Sequence, residues 1–163
     1  MEPASISGEQ WAARVSGEAL DLAQCMQFVE DPGAGAISTF SGVTRNSFKG
    51  KAVVKLEYEC YTDMALKKLK ARAQDVCEEC CQKHAIIRLA VAHRVGEVWV
   101  GQPSVLIAAS SAHRLEAIQA CHWVIDALKA TVPIWKKEFF EDGSIWKENA
   151  ECQLLGNSSE GLA

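Results

Sequence analysis

The sequence predicts an α+β fold, with a mostly antiparallel sheet against which helices pack. Segments typical of strands are interspersed with amphipathic helices, and 48% of the 163 residues are hydrophobic, which is enough for a proper core. The chain shows no internal repeat and no linker long enough to divide it. We therefore expect a single domain over residues 1–163, with its core over about 11–150.

The first half of the chain alternates short strands with two helices. A strand near residues 11–15 precedes a short helix over roughly 20–29, which the breakers of EDPGAGA end. A strand over 36–41 leads into the basic, glycine-bearing loop GVTRNSFKGK, and a strand over 52–59 follows. A long helix is predicted from about 63 to 83.

The second half contains further strands and a second long helix. HAIIRLAVAHRVGEVWVG contains a strand and an extended segment around Gly96, and SVLIAASS is an apolar strand typical of a buried position. The helix that follows starts at His113 or Arg114, and another strand follows Pro133. The C-terminal stretch LLGNSSEGLA, residues 154–163, is predicted to be a flexible tail.

Composition narrows the cellular setting and the classes of function. No apolar run approaches the ~18–20 residues needed to cross a bilayer, and MEPASISGEQ has neither the basic nor the apolar part of a secretory signal. Seven irregularly spaced cysteines are typical of reduced thiols in a cytosolic protein. A net charge of -4 argues against a general nucleic-acid or membrane surface.

Basic residues are concentrated in two segments that contain no acidic residue. Residues 35–55 contain the four cations Arg45, Lys49, Lys51 and Lys55, and residues 129–137 contain three lysines. In an acidic chain, local clusters of this kind indicate a pocket for a small anion, because a surface-wide positive field would need a basic total.

The helix after SVLIAASS carries two cations in its predicted apolar sector. Arg114 and Lys129 fall inside this sector, one at each end, whereas Trp123 lies on the polar face and favours a protein contact there. The apolar sector itself contains Leu115, Ile118, Cys121, His122, Ile125 and Leu128. The pattern therefore predicts that both cations turn toward the packed side.

The junction SSAHR is the first candidate site. A helix that starts at His113 or Arg114 exposes backbone N–H groups and a partial positive charge, and Ser111 could cap it. No acidic residue stands where a capping box would place one, so His113 and Arg114 could bind phosphate or carboxylate there. The alternative is a solvated His-Arg pair.

Lys129, Lys136 and Lys137 form the second candidate site. Lys129 also suits the helix dipole as a purely structural residue, but its angular position argues for a pocket. Alternation in PIWKKE sends Ile134, Lys136 and Glu138 to one face, and Trp135, Lys137 and Phe139 to the other. One of the two adjacent lysines is therefore expected to point inward.

Two further motifs have weaker implications. In SGVTRNSFKGK, Gly42 and Gly50 permit tight turns and Arg45 and Lys49 supply charge, but the spacing is not that of a nucleotide-binding P-loop. The pair His93-Arg94 either orients a loop or adds to the anion site. CEECCQKH suggests either zinc or a helix face of packed thiols, and packed thiols are favoured because no second CxxC exists.

Five segments together resemble the large, catalytic subunit of molybdopterin synthase. They are GAISTFSGVTRNSFKGK, LEYECYTDMA, HRVGEVWVG, SSAHR and LKATVPIWKKE, in the order and spacing of that family. The resemblance extends over most of the chain, from about residue 33 to residue 148, and the last two segments are highly specific in combination.

The resemblance implies an enzyme of molybdenum-cofactor biosynthesis with an α+β hammerhead-type fold. Such subunits form a homodimer, and each binds a small ubiquitin-like sulfur-carrier subunit, which gives a heterotetramer. The carrier's C-terminal Gly-Gly thiocarboxylate enters a pocket, where two sulfur transfers convert cyclic pyranopterin monophosphate (precursor Z) into molybdopterin. The resemblance also implies a cytosolic location. It implies no metal or cofactor in this subunit and no nucleic-acid or membrane partner.

The resemblance also assigns expected roles to residues of this chain. Arg45, His113 and Arg114 would anchor the phosphate or the pterin, Lys129 would act nearest the chemistry, and Lys136 would hold the thiocarboxylate. The full set of implied positions is Val43, Thr44, Arg45, His113, Arg114, Lys129, Lys136, Lys137 and Glu138.

The length of the last helix limits how these residues can cooperate. Arg114 and Lys129 are separated by about 22 Å of helix, so they cannot clasp one phosphate within the same chain. Either they serve different anions, or other segments or a second subunit complete the pocket. A different class of function uses the same lysines: a non-catalytic module that binds an acidic peptide terminus or a small phosphorylated ligand.

Overall fold

The computed structural model describes residues 4–60, 62–131 and 135–149 of the chain. The helices are α1 (Leu22–Val29), α2 (Asp63–Lys83) and α3 (Arg114–Thr131), and none of these is both long and apolar enough to span a membrane. The strands are β1 (Ala4–Ser7), β2 (Trp11–Ser16), β3 (Ala36–Val43), β4 (Ser47–Phe48), β5 (Lys51–Glu59), β6 (Arg88–Arg94), β7 (Gly96–Trp99), β8 (Pro103–Ser111), β9 (Trp135–Phe140) and β10 (Ile145–Asn149). Pro133, Ile134 and the tail predicted over 154–163 lie outside the described residues.

The strands form two sheets. The first sheet has the order β1-β2-β6-β8-β3 and is antiparallel except for the parallel pair of β2 and β6. The second sheet has the order β10-β9-β5-β4, with β7 also paired to β5, and its pairs are antiparallel. The predicted α+β class with mostly antiparallel sheets is confirmed.

The central strands of the first sheet are buried on both faces because helices cover both. Side chains alternate along a strand, so Leu89 and Val91 of β6 join the core formed with α2 and α3, whereas Ala90 and Ala92 pack toward α1. Residues 104–111 of β8 are all buried, which confirms the apolar strand predicted for SVLIAASS. The first sheet is thus the buried surface on which α3 packs, through β3 and β8.

The buried face of α3 differs from the predicted one. It is formed by Ala117, Ala120, Cys121, Val124, Ile125 and Leu128. Leu115 and Ile118 are instead 58% and 53% exposed, and the His122 side chain is also exposed. The predicted sector was wrong at these three positions and at Arg114, which is also exposed. The reason is that Ala117 and Ala120, which the predicted sector left out, are fully buried and allow the helix to approach the sheet closely. The packed face therefore lies further round the helix.

Trp123 and the cysteines of α2 belong to the packing around the core. Trp123 is partly buried against the core, with the Lys83 ammonium 5.0 Å from its ring centroid and the His84 ring 5.9 Å away. Packing within the chain thus explains the position of Trp123 in part, and the protein contact predicted there stays a prediction. Cys77 and Cys80 are fully buried, and burial raises the pKa of the Cys80 thiol to about 12, which confirms packed thiols on this helix.

Three short strands lie outside the predicted elements. They are β1, β4 and β10, and each lies at or beside the end of a sheet. β10 pairs with β9 through a turn in which Gly143 has a φ of 80°, so Asp142-Gly143 is a hairpin signal that the sequence contained. The strand and extended segment predicted around Gly96 are confirmed as β6 and β7.

Candidate functional site

A cavity of about 440 Å³ lies where the second sheet meets the C-terminal half of α3 and the end of β3. Its walls come from β3, β4, β5, β6, β8, α3 and β9, so segments distant in sequence converge on it. The apolar lining consists of Phe40, Gly42, Val43, Phe48, Val53, Leu56, Val105, Ile125 and Leu128, and the polar lining of Arg45, Ser47, Tyr58, His93, Ser104, Lys129, Lys136 and Glu138.

Three cations and one carboxylate line the cavity. Arg45 follows β3, Lys129 lies in the last turn of α3, and Lys136 and Glu138 lie on β9. Lys136 Nζ is 3.4 Å from Glu138 Oε1, while Glu138 Oε2 is buried and has no hydrogen-bond partner among the described residues. Arg45 from the first basic segment thus meets Lys129 and Lys136 from the second, and the excess of positive charge suits an anionic ligand.

Strand alternation separates Lys136 from Lys137. In the second sheet Lys136 pairs with Tyr58, and both side chains line the cavity. Lys137 lies on the opposite face, where its ammonium forms an ion pair with Glu59, and this contact lowers the pKa of Glu59 and raises that of Lys137. The expectation that one of the two lysines points inward is confirmed, and that lysine is Lys136.

The turn between β7 and β8 holds the loop that carries Arg45. The Thr44 N–H donates to Gln102 O at 3.1 Å, and the Gly101 N–H donates to Thr44 O at 2.9 Å. Thr44 is 3% exposed and does not line the cavity, whereas Val43 and Arg45 on either side of it do. Thr44 therefore anchors the loop, and the irregularity in β3 at Gly42/Val43 redirects the chain there.

His113 and Arg114 lie outside the cavity. Both are exposed at the N-terminal end of α3, at the opposite end of the helix from Lys129. The Ser111 hydroxyl donates to the His113 carbonyl, so it does not cap the helix as predicted. Lys49 is also elsewhere, with its ammonium 3.7 Å from the centroid of the Trp146 ring.

Sequence reasoning missed Tyr58 and Ser104 and left the role of His93 open. The Tyr58 hydroxyl donates to Ser104 Oγ at 3.2 Å, and the Ser104 hydroxyl donates to Gly42 O at 3.3 Å. Burial lowers the pKa of His93 to about 4, so the imidazole is neutral near pH 7 and adds no charge to the anion site. Alternation shows which side of its own strand each residue occupies, but only the pairing of strands brings the three together.

The fold and the cavity define the class of protein: an α+β protein with a pocket whose lining carries three cations and one carboxylate. The family model described as MoaE protein matches residues 15–131, and the chain belongs to this family.

Three relatives show how far this similarity extends. The molybdopterin synthase catalytic subunit of Oryza sativa subsp. indica is 52% identical over 132 residues, which cover 81% of this chain and 66% of the rice protein. The subunit of that name in Homo sapiens is 46% identical over 143 residues, covering 88% of this chain and 74% of the human protein. The crystal structure of molybdopterin synthase from Staphylococcus aureus matches with a TM-score of 0.69 at 34% identity, covering 83% of this chain and 95% of that chain. This chain thus spans just under two thirds of the rice relative's length.

Proposed function

We propose that this protein is the catalytic subunit of a molybdopterin synthase in the cytosol. It would be a sulfurtransferase that moves two sulfur atoms from a thiocarboxylated carrier protein to cyclic pyranopterin monophosphate, which forms molybdopterin for the molybdenum cofactor. Membership of the MoaE family and the names of the relatives support this assignment. The observation that carries it is the convergence of Arg45, Lys129 and Lys136 on one cavity.

The charges of the reactants explain why the cavity is cationic. The substrate carries a phosphate and the sulfur donor is an anionic thiocarboxylate, so two negative groups must approach each other. Lys136, at 3.4 Å from Glu138, is held at the wall and would bind the thiocarboxylate and the charge that develops during transfer. Lys129 would act nearest the reacting atoms, as a proton donor or acceptor or through a transient covalent bond to substrate.

Arg45 would bind the phosphate or the pterin within the same chain. Its loop is anchored through Thr44 to the β7–β8 turn, so the guanidinium approaches the cavity from a fixed backbone. Guanidinium groups bind phosphate through paired hydrogen bonds, which favours this role.

A second copy of the chain would supply His113 and Arg114. About 22 Å of helix separates Arg114 from Lys129, so these residues cannot reach the cavity of their own chain. The exposed Leu115 and Ile118 stand directly beside them, as an interface between copies would require. A homodimer with one carrier bound to each subunit gives the heterotetramer that we propose.

Reconstitution tests the proposed function directly. The purified chain is incubated with the cyclic pyranopterin monophosphate and a carrier whose Gly-Gly terminus is a thiocarboxylate, and molybdopterin is measured. Product that depends on all three components supports the enzyme. Binding of the carrier without product would instead support the non-catalytic module that recognises an acidic peptide terminus.

A further inference from the structure

The cavity has a neutral wall that the proposed sulfur transfer does not use. This wall is formed by Tyr58, His93 and Ser104, from three different strands. The charged residues of the cavity other than Glu138 are hydrogen-bond donors. The uncharged part of a ligand would therefore depend on the neutral wall for hydrogen-bond acceptors.

The contacts of His93 define which of its ring nitrogens carries hydrogen. Nδ1 lies 2.8 Å from the carbonyl oxygen of Arg94, and a carbonyl can only accept, so Nδ1 is the protonated nitrogen. Burial lowers the pKa of the ring to about 4, so the other nitrogen, Nε2, keeps its lone pair near pH 7. His93 therefore offers the cavity a hydrogen-bond acceptor.

Tyr58 orients this imidazole and adds to the same wall. The two rings meet edge to face, with centroids 5.2 Å apart and an interplanar angle of 88°. The Tyr58 hydroxyl hydrogen is donated to Ser104, whose own hydrogen is donated to the Gly42 carbonyl. Both hydroxyl hydrogens are thus used within the protein, which leaves acceptor lone pairs on the Tyr58 oxygen.

We propose that His93 is a specificity-determining residue whose Nε2 accepts a hydrogen bond from an N–H group of the substrate's heterocycle. The inference rests on the proposed function and identifies how the pterin is distinguished from other phosphate esters. The cationic residues bind the anionic groups, and the neutral wall binds the amino and ring N–H donors of the pterin. A phosphate ester without such donors would leave the His93 acceptor unsatisfied when it is bound.

Equilibrium binding to two variants tests this role. His93→Phe keeps the ring volume and removes the acceptor, so we expect the Kd for the cyclic pyranopterin monophosphate to rise roughly 5- to 100-fold. His93→Gln can place an amide oxygen near the lost nitrogen and should recover part of that affinity. Binding of inorganic phosphate and of the carrier should stay at the wild-type level in both variants.

The NMR resonances of the His93 ring nitrogens can be measured in the wild-type protein, so this test needs no substitution. We expect His93 to show the Nδ1–H tautomer at pH 7 and its Nε2 resonance to shift when the pyranopterin binds, but not when inorganic phosphate binds. An unmoved Nε2 resonance at saturating pyranopterin would overturn the inference, as would equal losses of phosphate and pyranopterin binding in His93→Phe. A wild-type protein that makes molybdopterin while these results fail would leave the proposed function standing, and one that neither binds nor converts the pyranopterin would overturn both.

Discussion

At the scale of single residues, neighbours in sequence have different surroundings. Lys136 and Lys137 are adjacent, yet one lines the cavity beside Glu138 and the other pairs with Glu59 on the opposite face of the sheet. The geometry of a strand, in which successive side chains alternate, is the whole reason for this difference. The pair therefore offers a matched control for a test of charge in the cavity.

Lys136→Ala should weaken capture of a thiocarboxylated carrier. A Gly-Gly terminus has no side chains, so its terminal anion must supply much of the local recognition. One charge-assisted hydrogen bond in a partly dry channel contributes about 1.5–3 kcal/mol, which corresponds to roughly 10- to 150-fold in affinity. Carrier affinity is measured by titration with carriers that end in thiocarboxylate, in carboxylate, or before the Gly-Gly tail.

Lys137→Ala is the control, because it removes the same charge from the other face of β9. We expect its carrier affinity to stay close to that of the wild type, since Lys137 pairs with Glu59 and does not line the cavity. Equal losses for Lys136→Ala with the full and the truncated tail would show that Lys136 does not touch the tail.

Lys129→Ala should lower turnover by about 10²–10⁴-fold while the fold is kept, if this lysine does general acid–base work. Its side chain is exposed in the last turn of α3 and contributes little to the core. Single-turnover product formation measures the loss, and the far-UV circular dichroism spectrum and melting temperature check the fold. Lys129→Arg should not rescue activity, because a guanidinium stays protonated. Near-normal product from Lys129→Ala would remove this residue from the mechanism.

At the scale of elements, the ends of the helices differ in how they are capped. Thr62 precedes α2, and its hydroxyl accepts the N–H of Ala65 at 3.1 Å, while Asp21 precedes α1 and accepts the N–H of Ala23 at 2.9 Å. For α3, the Ser111 hydroxyl donates to a carbonyl instead of accepting an N–H. The first turn of α3 thus has no cap from the Ser111 hydroxyl, and it carries one acidic residue, Glu116.

Thr62→Ala should lower the free energy of unfolding by about 1 kcal/mol, because the first turn of α2 loses its side-chain acceptor. Urea denaturation at one fixed protein concentration measures the change, since self-association would otherwise alter the apparent stability. Thr62→Ser keeps the hydroxyl and should stay near the wild-type value. A loss as large in Thr62→Ser as in Thr62→Ala would show that the cap contributes nothing.

At the scale of the whole molecule, the cavity lacks His113 and Arg114, two of the residues that the family resemblance assigns to the site. His113 and Arg114 are at the far end of α3, and the exposed Leu115 and Ile118 lie beside them. A symmetric dimer can bring these two residues to the cavity of the other copy without any change in the fold of either chain.

Mixed dimers of Lys129→Ala and Arg114→Ala chains should recover activity that neither variant has alone. If each site combines Lys129 of one copy with Arg114 of the other, a mixed dimer holds one intact site, and random mixing gives about a quarter of wild-type activity. Chains co-refolded at equal concentrations are assayed for molybdopterin, and sedimentation reports the oligomeric state. A fully active monomer, or no recovery in dimers shown to be mixed, would contradict a shared site.

The sequence by itself determined the three helices, seven of the ten described strands, the alternation that separates Lys136 from Lys137, and the two basic segments that meet at the cavity. These properties depend on local periodicity and on charge order, which can be read from neighbouring residues. Only the tertiary structure decided the face that α3 buries, the anchoring of Arg45 through Thr44, and the assembly of Tyr58, His93 and Ser104. The physical reason is that these features depend on strand pairing and close packing between segments far apart in the chain, and a pattern within one segment carries no information about its distant partner.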